Sequence, residues 1–201
     1  LDRISDSRVH LMGHSMGAVA AMYAAVARPE RVATLTLLDP VFSTDATFFA
    51  RRLLSPFADR KNPLVPRTLG RPEFFEDQQE AFRFYRRKRA FRAFSDDALR
   101  DYVDASNEPC ADGRVRLRFS PSWEAGIYRR TPRIVPGLRQ LQVRTLGVRG
   151  EDSEILSPEV WSCWARWQPA AQLLSVPGGH LFPMENPGPS AEVLLRFLND
   201  G

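Results

Sequence analysis

The sequence has few of the residues that mark disulfide-rich, metal-binding or membrane-spanning proteins. Two of its 201 residues are cysteines, Cys110 and Cys163, and neither stands in a paired metal-ligand spacing. We therefore expect reduced thiols, no metal and no other cofactor. No apolar run approaches the roughly 18 to 20 residues that cross a bilayer, and no basic-then-apolar leader follows Leu1. These absences predict a cytoplasmic protein without a membrane span.

The composition is that of an ordinary globular protein, with 43% hydrophobic and 26% charged residues. Short apolar runs bounded by turns predict buried parallel strands at 9–12, 32–38, 141–148 and, more weakly, 173–176. Helices are predicted between or after them at 16–27, 158–167 and 190–198. Strands that alternate with helices predict an α/β fold built on a parallel sheet.

A long stretch, 41–139, interrupts this alternation with many prolines and aromatic residues. We interpret it as a mostly helical insertion, which leaves 1–40 and 140–201 as the core. Its basic and aromatic segment 82–94 permits a nucleic-acid surface, but acidic residues flank it closely. We therefore expect a helix with solvated arginines and no nucleic-acid partner.

The segment from Val9 to Gly17 contains a nucleophile elbow, Gly13-His14-Ser15-Met16-Gly17. A strand that turns sharply into a helix would lift the Ser15 hydroxyl above the sheet edge. Glycine at 13 and 17 would avoid collisions between strand and helix. The N–H of Met16, at the helix start, would then donate to an oxyanion.

A serine hydroxyl needs a neighbouring base before it becomes a good nucleophile. Of the three histidines, His10 lies within a predicted strand and His14 adjoins the serine. His180 lies in Gly178-Gly-His-Leu-Phe-Pro-Met-Glu185, after a short strand and a glycine turn. His180 is therefore the expected base.

These motifs resemble the α/β-hydrolase superfamily, and in particular single-domain serine hydrolases with a helical cap. The further matches are Leu-Leu-Asp-Pro at 37–40 and Arg-Gly-Glu-Asp-Ser at 149–153. The resemblance implies a parallel core sheet with the insertion as cap. It also implies several strands before the elbow, whereas only eight residues precede Val9. We thus expect an amino-terminally truncated chain that lacks the second oxyanion donor, and is inactive or nearly so and poorly soluble alone.

The resemblance offers two places for the acid that orients His180. The usual place follows the strand at 141–148, where Ser153 has the usual spacing and Asp152 and Glu154 flank it. Some relatives instead carry the acid at the end of the preceding strand, where Asp39 stands. An aspartate there lies on the ligand side of the sheet. We rank Asp39 first, then Glu154, then Asp152, although Asp39 also fits a structural turn residue.

The resemblance implies a hydrolase of carboxylic esters or related acyl bonds that acts on a small-molecule, ester-like substrate through an acyl-enzyme. Two alternatives stay open: a carbon–carbon bond hydrolase of β-diketones on the same triad, and a non-catalytic fragment or interaction module. We expect His14, Phe84 and Phe91 to contact substrate, because apolar walls with few polar groups are usual in small-molecule sites. The sequence indicates neither the exact substrate nor the oligomeric state.

Overall fold

The computed structural model describes residues 7–53, 62–129 and 132–200. Its strands are β1 (Val9–His14), β2 (Val32–Leu38), β3 (Phe74–Phe75), β4 (Asn107–Pro109), β5 (Val115–Leu117), β6 (Arg144–Gly150) and β7 (Gln172–Val176). Its helices are α1 (Met16–Ala27), α2 (Asp45–Leu53), α3 (Leu64–Leu69), α4 (Gln78–Arg86), α5 (Asp96–Ser106), α6 (Pro121–Tyr128), α7 (Val135–Gln140), α8 (Pro158–Trp167), α9 (Phe182–Glu185) and α10 (Pro187–Asn199).

The main sheet contains four parallel strands in the order β1-β2-β6-β7. This confirms the α/β class with a parallel sheet. The observed bounds of β2, α1 and α8 coincide with the predicted ones. Strand β6 begins three residues later than predicted, because Val135–Gln140 forms a helix and the N–H of Leu141 still bonds to the carbonyl of Leu138.

The chain divides into two compact units, 1–49 with 132–201, and 50–131. The first unit holds the main sheet. It also includes α7, since Val135 and Leu138 are buried in the same apolar cluster as Met22 and Leu35. The second unit is therefore shorter than the predicted insertion at 41–139.

The second unit is mostly helical but also contains a small antiparallel sheet in the order β3-β5-β4, which the sequence analysis did not predict. Its strands are two or three residues long. Tyr85, Phe91 and Phe94 pack edge-on or tilted against one another and against Tyr102 to form its aromatic core.

Strand β2 lies between two neighbours in the main sheet and is almost wholly buried, with Val32, Leu35 and Leu37 at 0% exposure. Thr34 and Thr36 on the same strand are also buried, at 6% and 1% exposure, so both faces of β2 are covered. In a parallel sheet the carboxyl ends of all strands meet at one edge. The segments that follow β1, β2, β6 and β7 are thus brought together.

Across the ranges that the structure describes, no helix is both long and apolar enough to cross a membrane.

Candidate active site

Ser15 lies at the turn between β1 and α1, in a strained backbone conformation with φ 56° and ψ −121°. Its N–H donates to the carbonyl of Leu38 at 2.9 Å, which ties the turn to the end of β2. Few non-glycine residues adopt a positive φ, and such strain is commonly found at functional sites. The turn predicted around Ser15 is therefore present.

The two elbow glycines differ in what they permit. A Cβ on Gly13 would lie 2.3 Å from the carbonyl oxygen of Gly17, so strand and helix could not close up around a side chain. A Cβ on Gly17 would meet nothing within 4 Å. The prediction that a side chain at position 17 would collide with the strand was wrong, because a Cβ there faces open space.

His180 stands on the loop after β7, and Gly178 at φ 124° makes the turn that leads into it. Glu185 anchors this loop, since its carboxylate accepts the N–H of Gly179 at 2.6 Å. Gly150, at the end of β6, lies so near that a Cβ there would be 2.2 Å from the carbonyl oxygen of Gly179. The imidazole is thus held on a fixed loop, with its side chain 23% exposed.

Asp39 follows β2 with a positive φ of 39° and is fully buried. Its N–H donates to the carbonyl of Val148 at 2.8 Å, which fixes the backbone against β6. The N–H of Gly150 donates to carboxylate Oδ1 at 3.2 Å. A buried carboxylate is costly unless such donors replace its hydration.

A chain of two hydrogen bonds joins the three predicted side chains. Ser15 Oγ lies 2.9 Å from His180 Nε2, and His180 Nδ1 lies 2.6 Å from Asp39 Oδ2. An ionised carboxylate only accepts hydrogen bonds, so the imidazole proton belongs on Nδ1. The lone pair on Nε2 is then free to accept the Ser15 proton.

Neither alternative acid occupies this place in the structure. Asp152 and Glu154 are both exposed in the loop after β6, whereas His180 Nδ1 already donates to Asp39. The residue between them, Ser153, is buried, and its hydroxyl donates to Asp39 Oδ2 at 2.5 Å. Sequence reasoning noted the spacing of Ser153 but assigned it no role.

His14 contacts the base loop directly. Its Nε2 lies 2.7 Å from the carbonyl oxygen of His180, and the two rings lie 4.8 Å apart between centroids. A carbonyl only accepts, so His14 carries a proton on Nε2. Burial lowers the pKa of His14, although the bond to His180 and the charge of Asp39 act in the opposite direction.

The remaining predicted residues lie in separate parts of the chain. Met16 is the first residue of α1, so its N–H is among those with no partner inside the helix. Phe84 and Phe91 belong to the second unit, where Phe91 is buried against Tyr85 and Tyr102. Substrate contact by His14, Phe84 and Phe91 stays a prediction.

The family model for the alpha/beta hydrolase fold matches residues 1–187. The chain belongs to the α/β-hydrolase family. The resemblance on which the sequence analysis relied is thus confirmed at the level of family and fold.

Two relatives illustrate how this α/β-hydrolase compares with known proteins. Lipase LipV of Mycobacterium tuberculosis is 26% identical over 203 residues, which cover 98% of this chain and 71% of the lipase. The crystal structure of E-2-(acetamidomethylene)succinate hydrolase is similar with a TM-score of 0.76 at 23% identity, covering 98% of this chain and 69% of that one.

An esterase of Mycobacterium tuberculosis is also similar in structure, with a TM-score of 0.70 at 18% identity. That match covers 96% of this α/β-hydrolase and 63% of the esterase. At such identities the structural likeness carries the fold rather than the substrate.

Proposed function

We propose that the protein is a serine hydrolase that cleaves carboxylic esters or related acyl bonds through an acyl-enzyme. The observation that supports this most is the hydrogen-bonded chain from Ser15 Oγ through His180 to Asp39, with distances of 2.9 Å and 2.6 Å. The family supports hydrolase activity, and the similarity to a lipase favours an ester as substrate.

The proposed reaction begins when Ser15 Oγ attacks the acyl carbon of the substrate and its proton passes to His180 Nε2. The carbonyl oxygen becomes an oxyanion that accepts the N–H of Met16 at the start of α1. The charged imidazole then gives its proton to the leaving alcohol, and the carbon–oxygen bond of the ester breaks. Asp39 holds the imidazole and stabilises its charge throughout.

The second half of the reaction repeats these roles with water. His180 takes a proton from water, the hydroxide attacks the acyl carbon, and the bond to Ser15 breaks as the proton returns to Oγ. The products are a carboxylic acid and the regenerated enzyme. The buried position of Asp39 suits this role, because low surrounding polarity strengthens its interaction with the charged imidazole.

The test is hydrolysis of short p-nitrophenyl esters by the protein at its natural full length. Ser15→Ala should abolish turnover while the thermal unfolding curve stays close to that of the wild type. Ser7→Ala, an exposed serine before β1, is the matched control and should retain full activity. Undiminished turnover in purified Ser15→Ala would remove Ser15 from the mechanism.

A further inference from the structure

We propose that Ser153 is a positioning residue of this site, whose hydroxyl holds the Asp39 carboxylate in the place from which it orients His180. The inference rests on the proposed function, because it concerns how the acid of that same site is held. Ser153 is 7% exposed, and its Oγ lies 2.5 Å from Asp39 Oδ2.

The direction of this hydrogen bond follows from the other partners of the hydroxyl. A serine oxygen offers two lone pairs and one proton. The N–H groups of Ile155 and Leu156 both donate to Ser153 Oγ, at 3.2 Å and 3.3 Å. With its lone pairs occupied by donors, the hydroxyl directs its single proton to Asp39.

The Asp39 carboxylate requires the hydrogen bond from Ser153 because it has no access to solvent. Asp39 is 0% exposed and accepts the N–H of Gly150 on Oδ1 and the imidazole of His180 on Oδ2. Ser153 shares Oδ2 with His180, so it fixes the rotation of the carboxylate and leaves one lone pair aimed at the imidazole. A hydrogen bond to a charged group contributes more than one between neutral groups.

The loop that carries Ser153 is braced independently of Asp39. The guanidinium of Arg149 donates to three carbonyls of this loop, those of Glu151 at 3.2 Å, Ser153 at 3.3 Å and Leu156 at 2.8 Å. The N–H of Glu151 also donates to the carbonyl of Val176 at the end of β7. The hydroxyl of Ser153 is therefore preorganised.

The experiment compares Ser153→Ala with Ser157→Ala in the full-length protein. Ser157 lies four residues further on and caps α8 through its hydroxyl, so its loss tests a structural serine near the same site. For Ser153→Ala we expect kcat to fall about 10- to 100-fold with KM changed less than about twofold. For Ser157→Ala we expect a lower melting temperature and an unchanged kcat. Similar losses of kcat in both variants would overturn the proposal.

A double-mutant cycle separates a role through Asp39 from a general structural role. In the Asp39→Asn background, Ser153→Ala should cost less than about twofold further, because the interaction it supports is already lost. Ser153→Thr, which keeps the hydroxyl, should recover at least part of the loss. If Ser153→Ala does not fold, Ser153→Cys is measured instead. Its thiol is a weaker donor than a hydroxyl, so kcat should fall below that of the wild type, by less than the loss expected for Ser153→Ala. A full, independent loss in both backgrounds would refute the assignment.

Ser15→Ala, measured in parallel, distinguishes the two proposals. If Ser15→Ala abolishes turnover and Ser153→Ala retains it fully, only the positioning role fails. If turnover survives Ser15→Ala, the proposed function itself fails, whatever Ser153 does.

Discussion

At the scale of single residues, Asp39 is the acid that the geometry favours. Asp39→Asn should lower kcat by about 10⁴-fold, the size of loss known when a triad acid becomes an amide. An asparagine cannot accept all the hydrogen bonds made to this carboxylate, because Ser153, Gly150 and His180 all donate to it. One of its amide hydrogens would face a donor in either orientation.

Glu154→Gln is the matched control for Asp39→Asn, since it makes the same chemical change in an exposed side chain. It should alter kcat less than about twofold, and steady-state kinetics on one p-nitrophenyl ester checks both variants. If Glu154→Gln lowered kcat strongly while Asp39→Asn left it nearly unchanged, the assignment of the acid would be reversed.

His14 should make stability depend on pH. Its pKa in the folded protein lies below the ordinary value of 6.5 because of burial, so the unfolded chain binds this proton first as the pH falls. The free energy of unfolding should therefore decline below about pH 6.5, and less steeply in His14→Gln, which can still donate to His180. Urea unfolding at pH 7.5 and 5.5 measures the difference. Equal slopes for His14→Gln and wild type would contradict the account.

At the scale of elements, the close approach of β6 to the base loop depends on Gly150. Gly150→Ala would place a Cβ 2.2 Å from the Gly179 carbonyl, so the His180 loop must shift. We expect a loss of about 1–3 kcal/mol in the free energy of unfolding, together with slower turnover.

Gly126→Ala, within α6, is the control, since its Cβ meets nothing within 4 Å. It should be neutral or stabilising by up to about 1 kcal/mol in chemical denaturation. Equal stability of the two variants would show that this approach is not tight.

Parts of the main sheet and two residues of the site could be predicted from the sequence. Strand β2 consists of aliphatic residues and threonines bounded by turns, and α1 is rich in alanine, so local composition predicts both. Ser15 and His180 stand in motifs whose spacing reflects tight local turns. The role of Ser153 depends instead on which strand ends are neighbours in the sheet, since it contacts a residue 114 positions away. The sheet of β3, β4 and β5 was missed because strands of two or three residues are too short for a periodic pattern.

At the scale of the whole molecule, β1 stands at one end of the strand order β1-β2-β6-β7 in the main sheet. Among the described residues, no strand pairs with the other side of β1, and Met12 on that strand is 54% exposed. An open edge strand is a template for association. A polypeptide of residues 1–201 should therefore associate as its concentration rises.

Met12→Lys should reduce that association, because a charge on an edge strand disfavours pairing. Leu195→Lys, which removes a similarly exposed apolar side chain at 57% from α10, should not. Sedimentation velocity over a concentration series measures both variants. A wild-type polypeptide that is monomeric throughout would contradict this expectation.

The main sheet brings together four side chains of the proposed site, because each follows the carboxyl end of a different parallel strand: Ser15, Asp39, Ser153 and His180. The central claim is that this convergence makes Ser15 a nucleophile. Mass spectrometry of the full-length protein after treatment with a fluorophosphonate tests it most directly. We predict a single phosphonylated peptide that contains Ser15, with labelling lost in Ser15→Ala and strongly slowed in His180→Gln. Absence of labelling at Ser15 in a folded protein, or an equal labelling rate in His180→Gln, would contradict the account.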